Sequence, residues 1–253
     1  MKKLLKFFFR SIGYDVKKIN NEINNASIDS LIKKKIRKNP IIFDVGGSRG
    51  QSIEKYKKIF KNPIIHSFEP IKSDFDIMYK KFSNDKNIYL NNFALGHKSE
   101  YKSFNITAQT DNSSFNKINK DTKWIKVRSK QFNTSIKGYV KSKAKIKIIT
   151  LDSYCKNKKI NKIDLLKIDT QGYEDKVLQG CFLNLKKNNI KAIVTEIMFD
   201  NVYDKYFSFT DIEKYIINKN FRMVAINLVN NNLFSGLVFS SDVCYFNKRY
   251  FNL

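Results

Sequence analysis

The stretch Pro40-Ile41-Ile42-Phe43-Asp44-Val45-Gly46-Gly47-Ser48-Arg49-Gly50 decides how this chain folds. Ile41, Ile42, Phe43 and Val45 form the short apolar run of a strand buried on both faces, and the run stops at Gly46 and Gly47. Beyond Gly50, Ser52, Ile53, Tyr56, Ile59 and Phe60 follow a helical period with lysines on the other side. Strand, glycine turn and helix together make a nucleotide-binding unit. Glycine accepts positive φ and lets a ligand approach the backbone, and the first helical N–H groups face whatever anionic group docks. A second apolar strand, Pro63–Phe68, ends at Glu69, whose carboxylate at the strand tip can accept hydrogen bonds from ribose hydroxyls.

The glycine spacing narrows the ligand. A dinucleotide fingerprint requires Gly-x-Gly-x-x-Gly, whereas the glycines here are Gly46, Gly47 and Gly50, so a pyrophosphate is disfavoured at this turn. Asp44, just before the first glycine, suits a cationic ligand, and the sulfonium and ammonium of S-adenosylmethionine meet that description.

With 253 residues, 42% of them hydrophobic, the chain can bury one substantial core. No stretch approaches the roughly twenty apolar residues of a membrane-spanning helix. Cys155, Cys181 and Cys244 have no paired spacing and read as small buried hydrophobes in a reducing compartment. His66 falls inside a predicted strand and His97 in a loop, with no cysteine at ligand spacing, so no metal site is expected. A net charge of +25 and a pI near 9.8 point towards nucleic acid or an anionic surface, yet Lys, Asn and Ile are abundant everywhere, the mark of a compositional bias.

Residues 1–38 read as a basic amphipathic segment and linker ahead of one domain at 39–253. Leu4, Leu5, Phe8, Phe9 and Ile12 share a helical face among Lys2, Lys3, Lys6 and Arg10. That layout suits peripheral contact of residues 1–18 with an anionic membrane surface, and equally a helix packed on the domain. The apolar part is too short for a secretion signal and lacks a small-residue cleavage site, so the expected location is cytoplasmic, at the inner face of the membrane if lipid is bound. Asn20–Lys38 reads as a linker ending in a solvated helix. Ile71–Phe82 has the spacing of a crossover helix. Asn87–Leu95 reads as a third strand, which sets Asn91–Leu95 beside the same cleft as Gly46 and Glu69. Tyr101–Thr150 breaks the rhythm: Phe104–Thr107, Trp124–Val127 and Lys145–Ile149 alternate with a period of two and predict an antiparallel β insertion at about 101–150. From Phe115 to Thr150 a run of lysines faces Asp121 as its only acidic residue, which reads either as a solvated strand face or as a substrate rim favouring phosphates.

The βα pattern resumes with a short helix at Leu151 and the apolar strand Ile163–Ile168, which delivers Asp169 to the carboxyl edge of the sheet. There Asp169 borders the reactive end of a cofactor, caps the helix that Val177, Leu178 and Phe182 continue, or does both. Ile190–Val194 brings Glu196 to the same edge, so the two carboxylates are expected to face one pocket. Thr210 and Glu213 read as a capping box for a helix reaching Asn218, and Phe221–Leu228 and Val243–Phe246 as a closing antiparallel pair.

Phe-Asp-Val-Gly-Gly-Ser-Arg-Gly-Gln-Ser at 43–52, Ser-Phe-Glu-Pro at 67–70, Asn-Phe-Ala-Leu-Gly at 92–96, Thr-Leu-Asp-Ser at 150–153 and Ile-Asp-Leu-Leu-Lys-Ile-Asp-Thr-Gln-Gly-Tyr-Glu at 163–174 resemble the FkbM family of S-adenosylmethionine-dependent O-methyltransferases, in family order from about Ile41 to Glu196. The resemblance implies an α/β, Rossmann-like class I methyltransferase fold with a seven-stranded, mostly parallel sheet containing one reversed strand. It implies that Gly46 and Gly50 line the methionine end of the cofactor, Glu69 the ribose, and Asn92 with Ala94 the adenine side, with Asp169 bordering the methyl group. Asp44 and Ser52 complete the expected cofactor set. Two departures stand out: Gly-Gly-Ser where many relatives have Gly-Ala-Asn, and Gln171 where Glu is common. The lysine-rich insertion and the N-terminal segment lie outside the resemblance.

Methyl transfer from an activated sulfonium mainly requires an oxygen nucleophile held in line and water kept out. A sugar hydroxyl has a high pKa and gains from a carboxylate that accepts its proton, for which Asp169 and Glu196 are the candidates. The Thr-Gln-Gly-Tyr-Glu block resembles enzymes that decorate bacterial surface sugars, so a glycan or its lipid-linked precursor is the expected acceptor. One alternative is an RNA methyltransferase, motivated by the charge and by Phe104, Phe115, Trp124 and Phe132 among lysines, although no RNA-binding module signature is present. The other is a non-catalytic scaffold at the membrane surface, against which Asp44, Glu69 and Asp169 are all present. Two carboxylates alone would leave a divalent metal with an incomplete shell.

Overall fold

The computed structural model describes Ser11 and residues 27–205, 208–228 and 240–252. The amphipathic stripe of Leu4, Leu5, Phe8, Phe9 and Ile12 lies outside the described residues.

In chain order the elements are α1 (Ile28–Lys35), β1 (Ile41–Val45), α2 (Gln51–Ile59), β2 (Ile64–Phe68), α3 (Lys72–Phe82), β3 (Ile88–Asn91), β4 (Ala94–Leu95) and β5 (Glu100–Thr107). They continue with α4 (Lys123–Gln131), β6 (Val140–Ile149), α5 (Leu151–Lys158), β7 (Ile163–Ile168), α6 (Glu174–Gln179), α7 (Phe182–Lys186), β8 (Ile190–Met198), α8 (Phe209–Ile216), β9 (Phe221–Leu228) and β10 (Ser240–Asn247). Seven strands form one sheet in the order β3-β2-β1-β7-β8-β10-β9. Pairings among β3, β2, β1, β7 and β8 are parallel, and β10 runs antiparallel to both of its neighbours. This is the sheet expected from the sequence, with its single reversed strand.

Successive side chains on a strand point to opposite faces, so β1 feeds two cores. Phe43 and Val45 join Phe68, Leu166, Ile168 and Ile193 on one face, under α5 to α8. Ile42 joins Ile65, Leu165 and Cys244 on the other, under Ile53 and Tyr56 of α2 and Met78 and Phe82 of α3. Each methylene buried this way is worth about 0.8 kcal/mol, which is why apolar strands occupy the centre of a doubly covered sheet. The segment read as a solvated helix also enters this second core. Ile28, Ile32 and Ile36 recur every four residues and are buried in it, leaving Lys33, Lys34 and Lys35 outside. Cys155, Cys181 and Cys244 are free and buried, as expected.

The insertion departs from its expected form in two places. Ala94 and Leu95 leave the main sheet and pair with β6, so the predicted third strand is two strands broken at Asn92. Trp124–Val127 is helical: Thr122 caps α4 by accepting from the Ile125 N–H at 3.3 Å, and Trp124 and Ile125 bury one face of the helix. Only β5 and β6 make the antiparallel ribbon. Ile118, Trp124, Ile125 and Tyr139 dock it onto Met198, Val202 and Tyr203 at the end of β8. Lys141, Lys143, Lys145 and Lys147 are exposed at alternate positions of β6. The cap of α8 also differs from the Thr210–Glu213 box, because Asp211 accepts from both the backbone N–H and the hydroxyl of Ser208.

Candidate active site

The carboxyl ends of β1, β2 and β7 converge on one cleft of about 280 Å³. Gly46 turns the chain out of β1 with φ +86°, and a Cβ there would lie 1.9 Å from the Asp169 carbonyl oxygen. Only glycine lets β1 and β7 close this tightly. The Gly46 and Gly47 N–H groups both donate to the Phe68 carbonyl at 3.0 Å, and the Asp169 N–H donates to the Val45 carbonyl at 2.9 Å, so the three strand ends are stitched together.

Glu69 is 5% exposed and lines the cleft. One carboxyl oxygen accepts from the Ile71 N–H at 2.7 Å and the other from the Ser48 N–H at 2.8 Å. Burial pushes the group up to about 7, against the pull of those two donors. Ser48 itself has φ +45°, and its hydroxyl donates to Asp111 at 3.0 Å, while Arg49 reaches Asp74 at 3.1 Å and Thr110 at 2.9 Å. The glycine turn is thereby tied to the insertion, whose Phe104, Ser113 and Phe115 also line the cleft.

At the β7 end the acids are organised by two polar side chains. The Lys167 ammonium sits 3.3 Å from Asp44 and 3.4 Å from Asp169 and donates to the Gly46 carbonyl at 3.1 Å. Burial alone would lower it, but Asp169 and Asp44 outweigh burial and hold it above the usual lysine value. The Gln171 amide donates to Asp169 at 3.0 Å and to Glu196 at 2.9 Å, and its oxygen accepts from the Tyr203 hydroxyl at 3.2 Å. Gln171 is held at φ +55°, a second strained non-glycine backbone on the cleft wall. Burial first, then the charges of Asp169 and Glu174, raise the Glu196 carboxyl well above its ordinary range.

Of the residues expected from the sequence, Gly46, Ser52, Glu69, Ala94 and Asp169 line the cleft. Asp44 is fully buried below it, accepts from the Ser67 hydroxyl at 2.9 Å, and meets Lys167 where a ligand cation was expected. Gly50, at φ +90°, caps α2 and faces the Phe82 ring, which a Cβ would meet at 2.4 Å. Asn92 pins the turn after β2 by donating to the Glu69 carbonyl at 2.9 Å. Glu196 stands behind Gln171, joined to Asp169 through it. Asp169 does not cap α6, whose N-cap is Tyr173 with no side-chain acceptor; Glu174, at the start of that helix, instead reaches back to take the Thr170 N–H at 2.7 Å. Lys167 and Gln171 were missed as site residues, as were Thr110, Asp111 and Ser113. Lys167 had a signal, since it and Asp164 interrupt a strand that is otherwise wholly apolar.

The methyltransferase FkbM domain model matches residues 44–223. Among solved structures the fold is similar to magnesium protoporphyrin IX methyltransferase from Synechocystis PCC 6803 with bound SAM, at 9% identity over 97% of this chain and 96% of that one, with a TM-score of 0.46. An rRNA methylase from Streptococcus thermophilus is similar at 10% identity over 91% of this chain and 99% of that one, with a TM-score of 0.47. No curated protein matches the chain at a significant level.

Proposed function

This chain belongs to the FkbM methyltransferase family, and from that premise we propose that it is an O-methyltransferase acting on a sugar hydroxyl, in a surface glycan or its lipid-linked precursor. Its cofactor is S-adenosylmethionine, which when bound supplies a methyl group already activated on a sulfonium. The cleft suits that group. Each Glu69 oxygen spends one acceptor position on a backbone N–H and keeps another for a ribose hydroxyl, and Phe68, Ile71, Ala94 and Leu95 form an apolar wall for a base. In this reading Gly46 and Ser52 take the methionine end, and Asp44 acts from below by fixing Lys167. Asn92 and Gly50 shape the turns without touching the cofactor.

The observation that carries O-transfer is the bridge Asp169–Gln171–Glu196. Gln171 and Lys167 fix one oxygen each of Asp169, whose side chain is 40% exposed and faces the cleft. A sugar hydroxyl aligned there gives its proton to Asp169 as the new O–C bond forms, and the Lys167 ammonium balances the charge before transfer. Glu196 acts on Asp169 only through Gln171. The aromatic side chains that motivated an RNA acceptor pack into the insertion, Phe104 against Phe115 and Trp124 against Tyr139, which favours the glycan reading over base stacking.

Calorimetric titration with S-adenosylmethionine, its demethylated product and NAD as a control, followed by transfer assays on lipid-linked glycans and RNA, tests the proposal. Asp169→Asn should retain cofactor binding within about threefold while transfer to a glycan hydroxyl falls by about 10²–10⁴. Transfer to RNA with none to glycans would replace the acceptor, and an unaffected rate in Asp169→Asn would remove its role as base.

A further inference from the structure

The insertion carries a second cleft, of about 520 Å³, that the cofactor does not need. Its floor is apolar, built on the buried Ile118, Ile125 and Tyr139. Its rim carries Lys117, Lys120, Lys137 and Lys143, all exposed. Among the described residues none of these four ammonium groups is paired with a carboxylate, whereas Lys57, Lys81 and Lys214 elsewhere on the surface are. The two acids at the rim, Asp121 and Asp204, leave a positive excess.

The two clefts share a wall. Thr110, Asp111, Ser113 and Phe115 face the methyl-transfer cleft, and the chain next supplies Lys117 and Lys120 to the second. Phe115 and Lys117 are two residues apart, so their Cα atoms lie within about 7 Å. The wall is firmly held: the Ser114 hydroxyl donates to the Gln171 carbonyl at 2.7 Å, the Asn105 amide to the Asn116 carbonyl at 2.9 Å, and the Tyr203 hydroxyl shares its one proton between the Gln171 side-chain oxygen and the Asn112 carbonyl, each 3.2 Å away.

We propose that this lysine-rimmed cleft binds the phosphate or diphosphate ester of the acceptor and so presents the attached sugar to the neighbouring cleft. The assignment rests on reading that neighbour as the methyl-transfer site. Unpaired ammonium groups around an apolar floor favour an anion attached to an apolar or flat group, which a neutral polysaccharide lacks. Both a nucleotide-linked and an isoprenyl-linked sugar carry that diphosphate.

Inorganic pyrophosphate, titrated into the full chain at fixed low salt, is the first probe. It is followed by calorimetry and by the emission of Trp124, the only tryptophan, whose ring lies 5.9 Å from that of Tyr139. The triple variant Lys120→Gln, Lys137→Gln, Lys143→Gln should weaken binding at least tenfold. An equal change of charge on the far side, Lys58→Gln, Lys61→Gln, Lys86→Gln, should leave it within twofold. No binding to the parent chain, or equal weakening by both variants, would overturn the proposal. Uridine diphosphate and geranyl diphosphate are then compared, and a tenfold preference for either supports the subsite and identifies the source of the diphosphate. S-adenosylmethionine titrated alongside keeps the two readings separate: its failure to bind the parent chain would remove the methyl-transfer site and leave the pyrophosphate result standing.

Discussion

Replacing Glu69 by glutamine tests the electrostatics of the cofactor cleft. Burial raises the Glu69 carboxyl from an ordinary 4.5 to about 7. The folded chain therefore holds that proton more tightly than the unfolded chain. The contribution of Glu69 is fully favourable below about pH 4.5 and is lost as the pH rises through 7. At about 1.4 kcal/mol per pH unit, complete ionisation costs the fold about 3 kcal/mol. Glutamine removes the slope but leaves the Ser48 or the Ile71 N–H without an acceptor, a pH-independent deficit of about 1–3 kcal/mol. Urea unfolding of both proteins at about pH 5 and about pH 8 should show the deficit of the variant narrowing by about 2.5 kcal/mol at the higher pH. Taking the difference cancels His66, Glu174 and Glu196, which titrate in both. Affinity for S-adenosylmethionine should rise across the same interval in the parent chain, as the carboxylate becomes the better acceptor, and stay low and flat in the variant. An identical deficit at both pH values would refute the argument from burial.

Gly46→Ala places a Cβ against the Asp169 carbonyl and a side chain at positive φ; melting should show a loss of about 3 kcal/mol or more, and calorimetry at least a tenfold loss of cofactor affinity. Asp164 lies buried at the opposite end of β7, 2.7 Å from Arg37 and 2.6 Å from Lys191, and accepts the Ile41 N–H. Asp164→Ala strands Lys191 and should cost about 3–5 kcal/mol in urea unfolding without changing the KM for cofactor. His66, stacked between Phe43 and Tyr89, is pushed down to about 4 chiefly by burial, so its stabilisation is present above about pH 6.5 and lost on acidification. His66→Phe should flatten the acid limb of the stability profile between about pH 6.5 and 4.

The central strands were legible because β1, β2 and β7 are apolar on both faces, a pattern that few alternatives satisfy. The insertion was less legible because its β-branched and aromatic residues obey two periods at once. Trp124, Ile125 and Val127 alternate like a strand, while the decisive signal was the single hydroxyl of Thr122 preceding them. Asn91 and Asn92 interrupt the predicted third strand, but only pairing with β6, about fifty residues on, moves Ala94 and Leu95 to another sheet. On the cleft wall, Gly46 and the strand-tip acids Glu69 and Asp169 follow local rules and are legible in the sequence, whereas Gly50 and Glu196 lie off it. Lys167 was overlooked because a lysine in an apolar strand is read as an interruption, although its burial between two carboxylates is what permits it. The partnership of Gln171 with Glu196 and Tyr203 has no local signature, since three separate segments must first fold to create it.

The place of β10 in the sheet bears on how the chain is made. Residues 240–247 fit between β8 and β9, both of which leave the ribosome earlier. Until β10 arrives, each has an unpaired edge, and that of Ile190–Met198 is long and mostly apolar, a template for strands of other chains. The domain therefore completes its sheet only once residues 240–247 have emerged and can pair, and until then the open edge of β8 is its greatest exposure to aggregation. Nascent chains held on the ribosome before that point should therefore depend on chaperones.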